Sequence, residues 1–268
     1  MDIAAKTKVK ICPVCGEPLE KSIRFPTFDG TGRMVEHTVS LACACKRKAR
    51  QEYEERLEKE AKIRDMERLR LHSLMDNRLR DVNFKTYQVT VDNQRLFHVA
   101  QKYVANFDTM KEKGQGILFW GDVGTGKSFT AAAIANELMA QLRPVIMTSF
   151  VKLVDRLMHL NDPDNEFLID RLNSADLVVI DDLGAERGTD FSLEKVYDVI
   201  DSRYRSGKPM ILTTNLKLSD MQNCTDIRYN RIYDRIFEMC YPVKAIGRSW
   251  RKANAVSRFD DMKKILGE

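Results

Sequence analysis

The chain has 268 residues, enough for one large core and a smaller accessory unit. Its 44 Lys and Arg against 39 Asp and Glu leave a charge of +5, a mild basic excess that admits nucleic acid as a partner without singling it out. No run of about 18 apolar residues occurs, the first residues lack the apolar core of a secretory leader, and six cysteines are too few and too unevenly spaced for a secreted disulfide framework, so a cytoplasmic protein without a membrane span is expected.

Residues 1–45 form the first region. They hold Cys12-x-x-Cys15 and Cys43-x-Cys45, with Pro13, Pro18 and Pro26 among them. Pro13-Val14 between the first pair and Gly16 after it suit a tight turn that aims both sulfurs at one ion. Four thiolates satisfy tetrahedral Zn²⁺. The C-x-C half is the less common spacing, so His37 stays open as a replacement ligand. So short a module, with few large apolar residues, folds only with a staple, which couples metal binding to folding. Cys224 and Cys240 stand alone and read as core residues.

Residues 46–80 are highly charged and lack Gly and Pro, which predicts a helical linker. Glu52–Arg56, Glu55–Lys59, Glu58–Lys62 and Glu60–Arg64 place an acid four residues before a base, the favourable order on a helix. The apolar positions are sparse and keep no heptad, so the segment reads as a solvated spacer or a helix resting on a partner.

Residues 81–268 alternate between strand and helix patterns. Leu96, Val99, Ala100, Tyr103, Val104, Phe107 and Met110 share one face of a helix over 92–113. Strands follow at 116–121, 144–149, 176–182, 209–215 and 241–246, with helices over 126–142, from 150 and over 192–206. Apolar strands separated by helices imply an α/β fold, a parallel sheet covered on both faces, with ligands beyond the carboxyl ends of its strands.

Gly121-Asp122-Val123-Gly124-Thr125-Gly126-Lys127-Ser128 fits G-x-x-x-x-G-K-[ST] between a strand and a helix, the context of a P-loop. Its glycines let backbone N–H groups approach phosphate oxygens, and the helix N-terminus adds positive potential. Lys127 reaches the β- and γ-phosphates of ATP, and the Ser128 hydroxyl ligates Mg²⁺. The nucleotide-binding set runs on through Phe129. Leu177–Ile180 then delivers Asp181, a Mg²⁺ ligand, and Asp182, a general base for the attacking water. Thr213, Thr214 and Asn215 end the next strand at the same edge, where a polar side chain positions that water.

This order of motifs resembles the AAA+ ATPases, and more narrowly the DnaC/DnaI-type loaders of bacterial replicative helicases. The resemblance covers about residues 81–268, with Ile180-Asp181-Asp182-Leu183-Gly184-Ala185-Glu186 as its most specific mark. It implies that Asp182 is the catalytic acid of the Walker B motif, in a position where many AAA+ proteins carry Glu, and that Asn215 is sensor 1. Arg231-Ile232-Tyr233-Asp234-Arg235-Ile236 looks like the segment carrying the arginine finger, with Arg235 favoured over Arg231. Gly247–Arg251 resembles sensor 2, with Arg251 as its side chain, and residues 83–87 match the adenine-packing segment. About 17 residues follow Arg251, too few for a helical lid domain, a truncation the loaders share.

A zinc unit joined by a charged helix to an ATPase resembles the DnaI-type arrangement, in which the N-terminal module binds the hexameric helicase. The function implied is ATP-dependent loading of a ring helicase onto single-stranded DNA, with self-assembly through the ATPase domain. An IstB-type transposition helper on duplex DNA, and a zinc-dependent DNA-binding regulator switched by ATP, are the competing readings. Lys152 and Arg156, beside Phe150, are the residues that would face DNA.

Overall fold

A computed structural model describes residues 9–27, 32–72, 77–159, 162–185 and 189–267. Chain contacts divide it into two compact units, residues 1–63 and 64–268.

In the first unit, Glu20–Pro26 (β1) and Met34–Ser40 (β2) form an antiparallel hairpin, with Glu20 opposite Ser40 and Pro26 opposite Met34. The long helix Ala44–His72 (α1) follows and carries the unit boundary. The expected acid-before-base pairs are not the ones formed. Among the described residues its ion pairs are Lys48–Glu52, Arg50–Glu54 and Arg56–Glu60, each with the base first. All these side chains lie in solvent, where such pairs contribute only tenths of a kcal/mol and order is weakly enforced.

In the second unit a 3₁₀ turn, Asn77–Leu79, lies against the core rather than in a linker: Asn136 donates to the carbonyls of Leu79 and Val82. The single helix expected over 92–113 is two helices, Gln94–Ala105 (α2) and Phe107–Glu112 (α3), broken at Asn106. The Asn106 amide turns back onto the Lys102 carbonyl, the local competition with the helix ladder that Asn side chains offer. The apolar face survives the break: Leu96, Ala100, Tyr103, Val104 and Phe107 are buried, and Val99 and Met110 pack against them.

The sheet contains Gly116–Trp120 (β3), Val145–Ser149 (β4), Leu177–Leu183 (β5), Met210–Thr214 (β6) and Cys240–Lys244 (β7), all parallel, in the order β4-β5-β6-β3-β7. Between them run Lys127–Ala140 (α4), Phe150–His159 (α5), Asp162–Ser174 (α6), Asp190–Arg205 (α7), Leu218–Gln222 (α8) and Ile227–Met239 (α9), and Trp250–Leu266 (α10) follows β7. The Ala-rich face of α4 packs with β3 and α2 in one apolar cluster, while α5, α7 and α9 belong to a second that shares the sheet. Helix α6 has no counterpart among the elements expected. The core explains why β3 to β6 read as unbroken apolar runs, since they are covered on both faces. The consequence for function is strand order: β6 lies between β3 and β5, so whatever ends β6 stands between the P-loop and the acids of β5.

Candidate nucleotide site and cysteine cluster

The turn between β3 and α4 needs glycine at defined places. Gly121, Gly124 and Gly126 have φ of 134°, 85° and 94°, the region closed to most side chains. A Cβ on Gly124 would also lie 2.2 Å from Ser249 Oγ. The first intrahelical bond of α4 runs from Thr130 N to Gly126 O at 2.8 Å, which leaves the N–H groups of Lys127, Ser128 and Phe129 as the orphan donors of a helix N-terminus. That is an anion site of the right size for phosphate. The Phe129 ring points elsewhere, edge-on to Tyr87 at 5.3 Å, so only its backbone serves the site.

Lys127 is buried, and its ammonium donates to the carbonyls of Gly121 (2.8 Å) and Asp122 (2.7 Å) and to Asn215 Oδ1 (2.9 Å). Burial pulls its pKa down, against the charges of Asp182, Asp181 and Asp122, which hold it up. Strand order thus brings the P-loop lysine and the expected sensor asparagine into direct contact.

The end of β5 departs from a regular strand. Ile180 pairs with Leu212 and Leu183 with Thr214, so Asp181 and Asp182 together oppose Thr213, a β-bulge. Asp182 has φ 58°, the left-handed conformation, rare for a residue with a Cβ. In a regular strand adjacent side chains leave by opposite faces. Here both carboxylates act on the same Lys127 ammonium. Burial, then the neighbouring Asp181, pushes the Asp182 carboxyl up, and Arg251 and Lys127 oppose the rise. The oxygens of Asp181 and the Ser128 hydroxyl are the hard donors that Mg²⁺ takes. Glu186 of the motif lies outside the described residues.

The segment before α10 closes the other side of the P-loop. Trp250 N donates to Gly124 O at 3.0 Å, Ala245 N to Trp120 O at 2.8 Å, and Arg248 N to Asp92 Oδ2 at 3.4 Å. Arg251 is exposed at the root of α10, and its charge is felt by both Lys127 and Asp182. Residues 83–87 pack beside α4: Phe84 N donates to Glu137 Oε1 at 2.8 Å, and the buried Tyr87 hydroxyl meets Thr130 Oγ1 at 2.7 Å.

Two expected residues sit away from this edge. Arg235 is on α9, ion-paired with Asp201 and lying over the rings of Tyr197 (4.9 Å) and Tyr204 (5.7 Å). Arg231, one turn earlier, is exposed. Phe150 cannot sit beside DNA, because it is fully buried under the sheet; α5 exposes Val151, Lys152 and Met158 instead. Sequence reasoning missed the role of Thr213, a wholly buried hydroxyl that bonds both acidic positions.

In the first unit, Cys12, Cys15, Cys43 and Cys45 bring their sulfurs within 4.8 Å of one another. A tetrahedron with Zn–S of about 2.3 Å has edges of about 3.8 Å, so the four thiols suit one zinc ion. Gly16 N closes the first knuckle on Cys12 O at 3.0 Å, and Gly16 has φ 74°. Glu17 then joins the two knuckles: its Oε2 accepts from Ala44 N at 2.6 Å and pairs with Arg47 at 3.3 Å, at the start of α1. The Glu17 N–H draws the Cys15 thiol down to about 6, favouring the thiolate that a metal takes. Cys45 is pushed up to about 11, chiefly by its hydrogen bond with Cys15. His37 is not in the cluster; it lies on β2 and stacks on Phe25 at 5.0 Å. Cys240 is buried and Cys224 half-buried, as core residues.

Among the described residues no helix is long and apolar enough to cross a membrane. The family model of the IstB-like ATP binding proteins matches residues 29–257. The phage-like element PBSX protein XkdC of Bacillus subtilis (strain 168) is 31% identical over 192 residues, 66% of this chain and 68% of that one. The replicative helicase loader DnaC of Escherichia coli (strain K12) is 27% identical over 184 residues, 67% and 73% of the two chains. A crystal structure of the DnaC helicase loader superposes with a TM-score of 0.54 at 29% identity, over 63% of this chain and 99% of that one. AMPPCP-bound DnaA from Aquifex aeolicus shares the fold, with a TM-score of 0.51 at 18% identity over 68% and 55%. With a glycine-rich loop, Lys127, the paired acids and Asn215 on one sheet edge, the chain belongs to the IstB-like ATP-binding protein family and is an AAA+ ATPase.

Proposed function

We propose that this ATPase loads a replicative ring helicase onto single-stranded DNA, binding the helicase through its N-terminal cysteine unit and assembling with copies of itself through the ATPase unit. The observation that carries the reading is the pairing of a glycine-rich loop, whose Lys127 meets Asn215, with a cluster of four cysteines in the other unit. Likeness to the DnaC loader over about two thirds of this chain supports it.

In this reading the N–H groups of Lys127, Ser128 and Phe129 and the Lys127 ammonium hold the phosphates of ATP. Asp181 and Ser128 would hold Mg²⁺, which would supply positive charge against that of the phosphates. Asp182 takes a proton from the attacking water while Asn215 orients it, and Arg251 steadies the phosphates from the root of α10. Arg235 acts on the nucleotide of a neighbouring copy once it leaves Asp201. The four cysteines would hold Zn²⁺, which would keep the N-terminal unit folded.

The test is affinity capture with the whole protein from cells of its host, with ATP present and the bound proteins identified by mass spectrometry. Recovery of a ring helicase, lost when Cys12→Ser replaces the wild type, supports the proposal. A transposase in its place, with tighter binding to duplex than to single-stranded DNA, would transfer the chain to the transposition-helper reading.

A further inference from the structure

The bulge at the end of β5 sets a problem that the P-loop alone does not solve. Asp182 sits at φ 58°, a conformation that costs a residue with a Cβ about 1 kcal/mol or more. Strain of this kind persists only where surrounding contacts over-determine it. The contacts are on β6. Thr213 Oγ1 accepts from Asp182 N at 3.0 Å and, with its own hydrogen, donates to Asp181 Oδ1. Thr214, whose side chain leaves by the opposite face of β6, donates to Leu183 O at 2.8 Å and accepts from Leu216 N at 3.1 Å. Both hydroxyls are wholly buried, so water cannot replace them without rearrangement.

One hydroxyl has a single proton and two lone pairs, and at Thr213 the proton and one lone pair are spent on the two acids. This division has a chemical consequence. The Asp181 oxygen that accepts from Thr213 is fixed in orientation, which leaves the other for a cation. The Asp182 amide, held on the same oxygen, keeps its residue in the left-handed turn that puts both carboxylates near Lys127. We propose that Thr213 is a positioning residue for the ATPase reaction, setting the direction of Asp181 toward Mg²⁺ and the bulge that presents Asp182. It acts through the two acids, as outer hydrogen-bond partners of metal ligands do.

Thr213→Val keeps the volume and β-branching and removes the hydroxyl. The expected result is turnover lowered about 10- to 100-fold, with nucleotide affinity in EDTA unchanged because the P-loop is untouched. A second readout needs no turnover: the tightening of a fluorescent ATP analogue by Mg²⁺, measured by equilibrium titration, should shrink and move to higher Mg²⁺ concentration. Thr213→Ser, which restores the hydroxyl, should return both properties close to wild type. Wild-type Mg²⁺ linkage in Thr213→Val would overturn the proposal. So would equal impairment in Thr213→Ser and Thr213→Val, because the methyl group would then matter rather than the hydroxyl. Should Thr213→Val prove too unstable to assay, Thr213→Ala takes its place in the same titration, with the raised Mg²⁺ requirement as the supporting result and an unchanged one as the overturning result.

Discussion

Arg235 Nε lies 2.5 Å from Asp201 Oδ1, and Arg205 Nε lies 2.8 Å from Asp201 Oδ2, so one carboxylate on α7 is ion-paired with two arginines. The Arg235 guanidinium also lies over the rings of Tyr197 and Tyr204. The side chain proposed to reach a neighbouring nucleotide therefore has a resting place within its own chain, one in which Arg235 Nε and Asp201 Oδ1 are buried at ion-pair distance without a well-aligned hydrogen bond.

Arg235→Ala should accordingly have two separable effects. It should lower stability by about 1–2 kcal/mol through the lost ion pair and ring contacts, and leave ATP affinity intact. Turnover stimulated by single-stranded DNA or by helicase should fall, while basal turnover changes little. Mixed with Lys127→Ala, it should recover part of the stimulated rate. Failure to recover, in mixtures shown to co-assemble, would leave Arg235 with its α7 role alone.

Lys127→Ala removes the one buried ammonium shared by Gly121, Asp122 and Asn215. Hydrolysis should drop at least about 100-fold. The Asn215 amide loses its partner as well, so Asn215→Ala in the Lys127→Ala background should add little. Near-additive losses in a steady-state phosphate-release assay would argue that the two residues act independently.

The raised pKa of Asp182 fixes the sign of two pH effects. As the proposed general base it would work only when ionised, so the acid limb of kcat should lie above the range of a free carboxylate. Arg251 lowers this pKa, hence Arg251→Ala should move the acid limb toward neutral pH. The same shift costs stability. The folded state binds the proton more tightly than the unfolded chain, so stability present below the unfolded pKa is lost as pH rises through the folded one. Asp182→Asn removes that penalty and tolerates the left-handed conformation better; its melting temperature at pH 7.5 should rise by about 2 °C or more, with hydrolysis lost. A lower melting temperature would contradict this account.

Purified protein should carry about one zinc per chain by elemental analysis. Cys12→Ser or Cys45→Ser should lower the metal content and open residues 9–45 to protease, with nucleotide affinity nearly unchanged. A metal-free preparation with that segment protected would rule out the staple.

Much of the ATPase unit is legible in the residues because its physics is local. A strand buried on both faces must be apolar throughout, and a phosphate loop must have glycine where φ is positive, so β3, β5 and Gly121–Ser128 declare themselves. What stayed hidden depends on partners far away in sequence. Nothing near Thr213 says that two acids 31 and 32 positions earlier will share its hydroxyl. Nothing in RIYDRI says that Asp201 will hold Arg235. The break at Asn106 was missed because apolar spacing runs straight through it, and α6 because Phe167, its largest apolar side chain, is exposed and gives the helix no clean buried face.

The bond from Trp250 N to Gly124 O fastens a long rod to the middle of the phosphate loop. Helix α10 has 17 residues, a length of about 25 Å at 1.5 Å per residue. A tilt of about 10° at its root therefore sweeps the far end through about 4 Å. A settling of the loop that tilted this root would be magnified in this way at Phe259, Met262 and Ile265, which lie exposed along the distal half of the helix. A spectroscopic label there would act as a pointer on a dial, reading the loop from a distance without touching it.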